Sequence, residues 1–190
     1  MKSMVTHLSE LSKMVMTLDS PDLKCILTSL EICYEKNQSV FIFGNGGSAT
    51  IAEHFATDWS KGIFQATGKS LKTFSLNSNL GVLTAISNDV SFEESLSFLL
   101  PQFIGPGDVV FLISSSGASP NIVKAAQVAR SLGVQVLSLS GFGRSRLSEL
   151  SDFCLSVDSR DYQLIEDLHA IVGHLVLKHF QEKYGINEKH

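Results

Sequence analysis

Hydrophobic positions follow two different periods along the 190-residue chain. Near the amino end they recur every three or four residues, at Val5, Leu8, Leu11, Val15 and Leu18, then at Leu23, Ile26 or Leu27, Leu30 and Cys33 or Tyr34. That spacing predicts two amphipathic helices, the second opened by Ser20 as cap and Pro21 in its first turn. From Val40 onward the apolar residues gather into short runs at 40–43, 71–76, 108–113, 134–139 and 153–157. Bulky, β-branched residues without polar alternation fit strands covered on both faces. Helical spacing returns between the runs. It predicts helices over 49–61, from Leu80 to the Asn88 and Asp89 pair, from Phe92 to Pro101, from Pro120 to about Leu132 with Ser119 as N-cap, and from Tyr162 to Phe180. The last helix carries Ile165, Leu168, Val172, Leu175 and His179 as its apolar stripe, and a loop is expected from 62 to 69. Strands alternating with helices mean an α/β fold, a doubly wound parallel sheet of five strands. One domain should cover 1–190, with the helical hairpin 1–37 as part of it.

The first strand run leads directly into Gly44-Asn45-Gly46-Gly47-Ser48, followed by a helix. Glycines leave backbone N–H groups uncovered, and the helix start adds the positive end of its dipole, so the junction can hold an anion. A dinucleotide loop would need G-x-G-x-x-G and a carboxylate at the end of the next strand; here the third glycine is missing and that strand ends at Ser75 and Asn77. Gly68-Lys69-Ser70 is not a Walker loop, because the spacing to Gly62 is wrong and a strand follows instead of a helix. A purely structural turn competes better, until a second loop of the same character is considered. Ser114, Ser115, Ser116 and Ser119 follow the third strand run and precede a helix opened by Pro120. Their hydroxyls beside a helix start suit a phosphate, whose oxygens accept several hydrogen bonds at once. Both loops lie at strand carboxyl ends, where ligands of such sheets bind.

Composition narrows the function class. The net charge is −4 and no run of lysine or arginine occurs, which excludes a nucleic-acid-binding surface. Charged residues make up only 18% of the chain against 44% hydrophobic, a balance that points to a soluble protein with an oligomer interface. Cys25, Cys33 and Cys154 are an odd set without a Cys-x-x-Cys pair and read as reduced thiols of a cytoplasmic protein. No signal peptide and no apolar stretch of about 18 residues is present, so neither that export route nor a membrane span is expected. His54 and Asp58 stand i, i+4 on one helix face and can share a ligand. With Glu166, His169 and His174 of the last helix they form a plausible donor set for a zinc-like ion.

FGNGGSA, HFATD, the Asn88-Asp89 pair, ISSSGASPNIVKA and IEDLHAIVGH together resemble the sugar isomerase (SIS) family, and within it the sedoheptulose 7-phosphate isomerases, from about Leu8 to Phe180. The resemblance implies a homotetramer with sites between subunits and the interconversion of a ketose phosphate with its aldose. It implies that Asn45, Gly46, Gly47, Ser48, Asn88, Asp89, Ser114, Ser115, Ser116, Ser119 and Glu166 bind the phosphosugar. It also implies that Asp58 and His174 move protons, and that His54, Asp58, Glu166 and His174 bind one Zn2+. Three departures stand out: Asp58 replaces the family's usual glutamate, Glu166 its usual glutamine, and Gly62 a common arginine. Non-catalytic relatives that bind proteins usually lack the ligand set, so its retention favours an enzyme over an adaptor or a phosphosugar sensor. On helix geometry alone, His169, three residues from Glu166, could take the place of His174 as a ligand.

Overall fold

The computed structural model describes residues 2–186. Five parallel strands, β1 (Ser39–Phe43), β2 (Lys72–Ser75), β3 (Val109–Ser114), β4 (Gln135–Ser140) and β5 (Phe153–Ser156), make one sheet in the order β2-β1-β3-β4-β5. Around it run α1 (Lys2–Val15), α2 (Pro21–Glu35), α3 (Gly47–Thr57), α4 (Ile63–Thr67), α5 (Leu80–Asp89), α6 (Leu100–Phe103), α7 (Pro120–Ser131), α8 (Arg146–Leu150) and the long α9 (Tyr162–Tyr184). Side chains alternate between the two faces of a strand, and here both faces are apolar. Val40, Ile42, Phe111 and Ile113 join α2, α3 and α9 in one core, while Phe41, Phe43, Val110 and Leu112 join α7, Leu96, Leu100 and Leu147 in another. The central strands β1 and β3 therefore read as unbroken hydrophobic runs, whereas β2, β4 and β5 carry polar residues among their apolar ones.

The packing of α3 on α9 decides the position of the site. Trp59, fully buried, donates its indole N–H to the Gly173 carbonyl at 3.1 Å and lies against Phe55 and Phe111, with ring centroids 4.9 and 5.4 Å away. A Cβ at Gly173 would overlap the Phe55 ring, so glycine is what lets the two helices come this close. His54 on α3 and His174 on α9, each one residue from that contact, are thereby brought face to face.

Three sequence expectations give way, and one further element appears. The helix after the glycine loop continues past residue 61 through a π-helical turn, Asp58–Gly62, into α4 and ends at Gly68, whose φ is 76°. Gly62 is helical, with φ −67° and ψ −44°, and lies beside Leu177; it serves close packing and does not break the helix. The helix expected from Phe92 to Pro101 is not formed: a 3-10 turn, Phe92–Glu94, gives way to turns, and Pro101 lies in the first turn of α6, which its fixed φ suits. The segment after β4 contains α8, held by a capping box between Ser145 and Ser148. On α9, Ile165, Leu168 and Val172 are buried as expected, but the carboxyl half of the stripe is displaced: Val176, Gly173 and His169 face inward, whereas Leu175 is 38% exposed and the His179 ring meets Glu31.

Candidate active site

Sheet order reverses between β1 and β3, since the chain leaves β1 towards β2 on one side and leaves β3 towards β4 on the other. The two loops expected to hold an anion diverge from this point and leave a crevice between them. In the first loop, a Cβ on Gly44 would overlap the backbone of Ser48, so the turn closes only around glycine. Asn77 clasps that glycine, accepting from its N–H at 3.0 Å and donating to its carbonyl at 2.9 Å. Gly46 then takes φ 52° and opens α3 with no side-chain cap, which leaves the helix start free for a ligand.

The second loop shapes itself with its own serines. Ser114 Oγ accepts from Gly117 N at 3.1 Å and Ser116 Oγ from Ala118 N at 3.3 Å, around Gly117 at φ 60°. Each hydroxyl keeps its proton to donate elsewhere. Ser119 sits at the N-cap of α7 but makes no capping bond. A reciprocal amide pair ties the loops together: Asn45 donates to Asn121 at 2.8 Å and Asn121 returns a bond at 2.9 Å, with Asn121 only 1% exposed.

The resulting cleft, about 320 Å3, is lined by Asn45, Gly46, Gly47 and Ser48 of the first loop, by Ile113, Ser114, Ser115, Ser116 and Ser119 of the second, and by Tyr162 and Glu166 of α9. Among the described residues no basic side chain lines it; the positive potential comes from two helix starts. Glu166 lies over Gly47, where a Cβ would come within 2.8 Å of its carboxylate oxygens.

Farther along the same two helices, His54, Asp58 and His174 place three donor atoms within 4.8 Å of one another. The two imidazole Nε2 atoms are 2.9 Å apart, and Asp58 Oδ2 lies 3.4 Å from His54 and 3.8 Å from His174. Bonds of about 2.1 Å in a tetrahedral site separate neighbouring ligands by roughly 3.4 Å, a value the three spacings of 2.9, 3.4 and 3.8 Å bracket, so the donor set fits a metal ion. The side chains are 48%, 23% and 58% exposed in the order His54, Asp58, His174, which keeps the cluster accessible from solvent.

Two expected ligands lie elsewhere. Glu166 is outside this cluster, because eight residues of helix put it about 12 Å from His174 along the axis. His169 points into the core, fully buried, with Nε2 3.3 Å from the Ser140 carbonyl, and cannot displace His174. Asn88 and Asp89 end α5, exposed and bonded to each other at 2.8 Å, and do not line the cleft of their own chain. Asn77, Asn121 and Tyr162 were not singled out from sequence. Asn77 does stand directly after a parallel strand, where an amide has room to close a neighbouring loop.

The sequence model of the SIS domain matches residues 6–141. A phosphoheptose isomerase of Helicobacter pylori is 35% identical over 186 residues, covering 96% of each chain, and one of Mycobacterium tuberculosis is 36% identical over 78% of this chain and 75% of its own. The structure of phosphoheptose isomerase from Neisseria gonorrhoeae superimposes with a TM-score of 0.86 over 95% of this chain and 98% of that one, at 24% identity, and so matches the fold. The chain belongs to the SIS domain family, alongside its phosphoheptose isomerases.

Proposed function

We propose that this protein interconverts sedoheptulose 7-phosphate and an aldoheptose 7-phosphate through an enediolate. The observation that carries the reading is the pairing, on the same helical layer of α3 and α9, of an anion cleft with a His54–Asp58–His174 cluster. Seven helical residues separate Gly47 from His54, about 10 Å, a gap that suits a phosphate tethered to its reacting carbons by a chain of several carbons. The serine loop and the α3 start hold the phosphate and so fix the register of the reacting end. Asp58 and His174 form the proton-moving pair: one takes the proton from C1 of the ketose as the other protonates the C2 carbonyl oxygen, and the first returns its proton to C2 as the C1 hydroxyl gives its proton to the second and becomes the aldehyde. His54, Asp58 and His174 would hold Zn2+, which supplies Lewis acidity to the carbonyl and enediolate oxygens when bound. Glu166, which lies over Gly47 in the cleft lining, would accept hydrogen bonds from sugar hydroxyls.

A homotetramer is part of the proposal. Leu80, Val90, Phe92, Phe98 and Phe103, 68, 50, 57, 51 and 52% exposed, crowd the stretch that also carries Asn88 and Asp89. Covering it with a second copy would bury that surface and give the pair a neighbouring cleft to reach. Light scattering should report four chains at micromolar concentration; a monomer there removes the shared-site picture.

The function itself is tested by ligand-dependent melting. At a hundredfold excess over its dissociation constant, sedoheptulose 7-phosphate should stabilise the protein by about 2.7 kcal/mol, roughly 5–10 °C, while unphosphorylated sedoheptulose does not. Ser116→Ala should shrink the shift. Equal effects of the two sugars would reduce the serine loop to a turn.

A further inference from the structure

Tyr162 is the one aromatic side chain in the cleft lining, and neither the ligand cluster nor the serine loop accounts for it. It occupies the first turn of α9, half exposed at 49%, and its hydroxyl has no hydrogen-bond partner among the described residues. Its ring is held from behind. Phe142 meets it edge to face, with centroids 5.3 Å apart and planes at 75°. Phe142 itself adopts φ 62°, a left-handed backbone that a bulky residue takes only when its surroundings enforce it. They do so here: Phe142 donates its N–H to the Ser159 carbonyl at 2.9 Å, and the Arg160 guanidinium lies 5.9 Å above its ring. The fold therefore places a strained, pinned aromatic where it fixes the direction of the Tyr162 side chain.

A phosphate dianion in this cleft would meet backbone amides, serine hydroxyls and the Glu166 carboxylate, with no lysine, arginine or histidine in the lining among the described residues. A phenolic O–H is a strong neutral donor, and Tyr162 lines the same cleft as Ser119. Tyr162 also sits far from the proton-moving end. His174 is twelve residues farther along α9, about 18 Å, beyond the reach of a tyrosine side chain. Resting on the phosphosugar reading above, we infer that Tyr162 is a further substrate-binding residue, whose hydroxyl donates to the phosphate of the bound sugar while Phe142 fixes its ring.

The test is Tyr162→Phe, which keeps the ring and its contact with Phe142 and removes only the hydroxyl. Measured on the zinc-loaded protein, the variant should show about a tenfold rise in KM for sedoheptulose 7-phosphate and in the inhibition constant of inorganic phosphate. Its kcat should stay within twofold, and its melting temperature without ligand should not move. Unchanged KM and phosphate inhibition, in a background where wild type turns over, would overturn the assignment and leave the isomerase reading standing. A fall in kcat with unaltered phosphate affinity would overturn it too, by moving the residue to the reacting end. Wild-type protein that neither turns over nor responds to phosphate would remove both.

Discussion

His174→Ala should abolish isomerisation of sedoheptulose 7-phosphate, by a factor of about 10³ or more, and with it tight zinc binding. The size follows from the double duty of the residue. General acid–base groups contribute about 10²–10⁴ in rate, and loss of one imidazole from a three-donor set leaves two ligands for an ion that needs at least three from the protein. His54 Nε2 lies 2.9 Å from the lost nitrogen and Asp58 Oδ2 3.8 Å from it, so no other described donor replaces it. Asp58→Asn should remove turnover as well, whereas His169→Gln, on the opposite side of α9, should keep both metal and activity. Zinc retained per chain after gel filtration and turnover of the 7-phosphate are the two readings. If wild-type protein retains no zinc and leaves the substrate unchanged across a range of pH, the isomerase reading is lost.

The legible parts of this chain are those in which one residue class serves one purpose. Continuous runs such as 109–113 can only be strands covered on both faces, and the glycine and serine loops follow them directly, so the sheet and both halves of the cleft follow from spacing. Gly62 and Pro101 misled because each has two uses, and tertiary packing selects between them: Gly62 is a close-contact glycine inside a helix, and Pro101 a first-turn proline. Asn77 and Asn121 were invisible for another reason. Their value lies in partners 33 and 76 residues away, and no local pattern encodes such pairs. The displaced stripe of α9 has a similar origin: Gly173 marks the buried face more truly than Leu175, but only once Phe55 is seen to fill the space a Cβ would take.

That displaced face makes His169 a core residue, and it should give the protein a specific acid sensitivity. The ring is fully buried; Nε2 meets the Ser140 carbonyl at 3.3 Å, and Nδ1 is buried with no partner. Burial disfavours the imidazolium and pushes the pKa down to about 4 from 6.5, against the smaller opposing pull of the Ser140 carbonyl. The sign follows from proton counts. Below about pH 6.5 the unfolded chain binds a proton at this position and the folded one does not, so stability falls as the pH drops and levels off, for this group, near pH 4. A shift of that size corresponds to a loss on the order of 3 kcal/mol across the window. His169→Gln can still donate to Ser140 and carries no titrating group. Urea unfolding of both proteins at equal protomer concentration, from pH 7 to pH 4, should therefore show wild type losing that much more than the variant; parallel curves would mean that the ring is hydrated or charged in the native state. The effect should reach the cleft, because Gly141, next to Ser140, donates its N–H to the Ser115 carbonyl at 2.9 Å, so a charged His169 would loosen the loop that holds the phosphate.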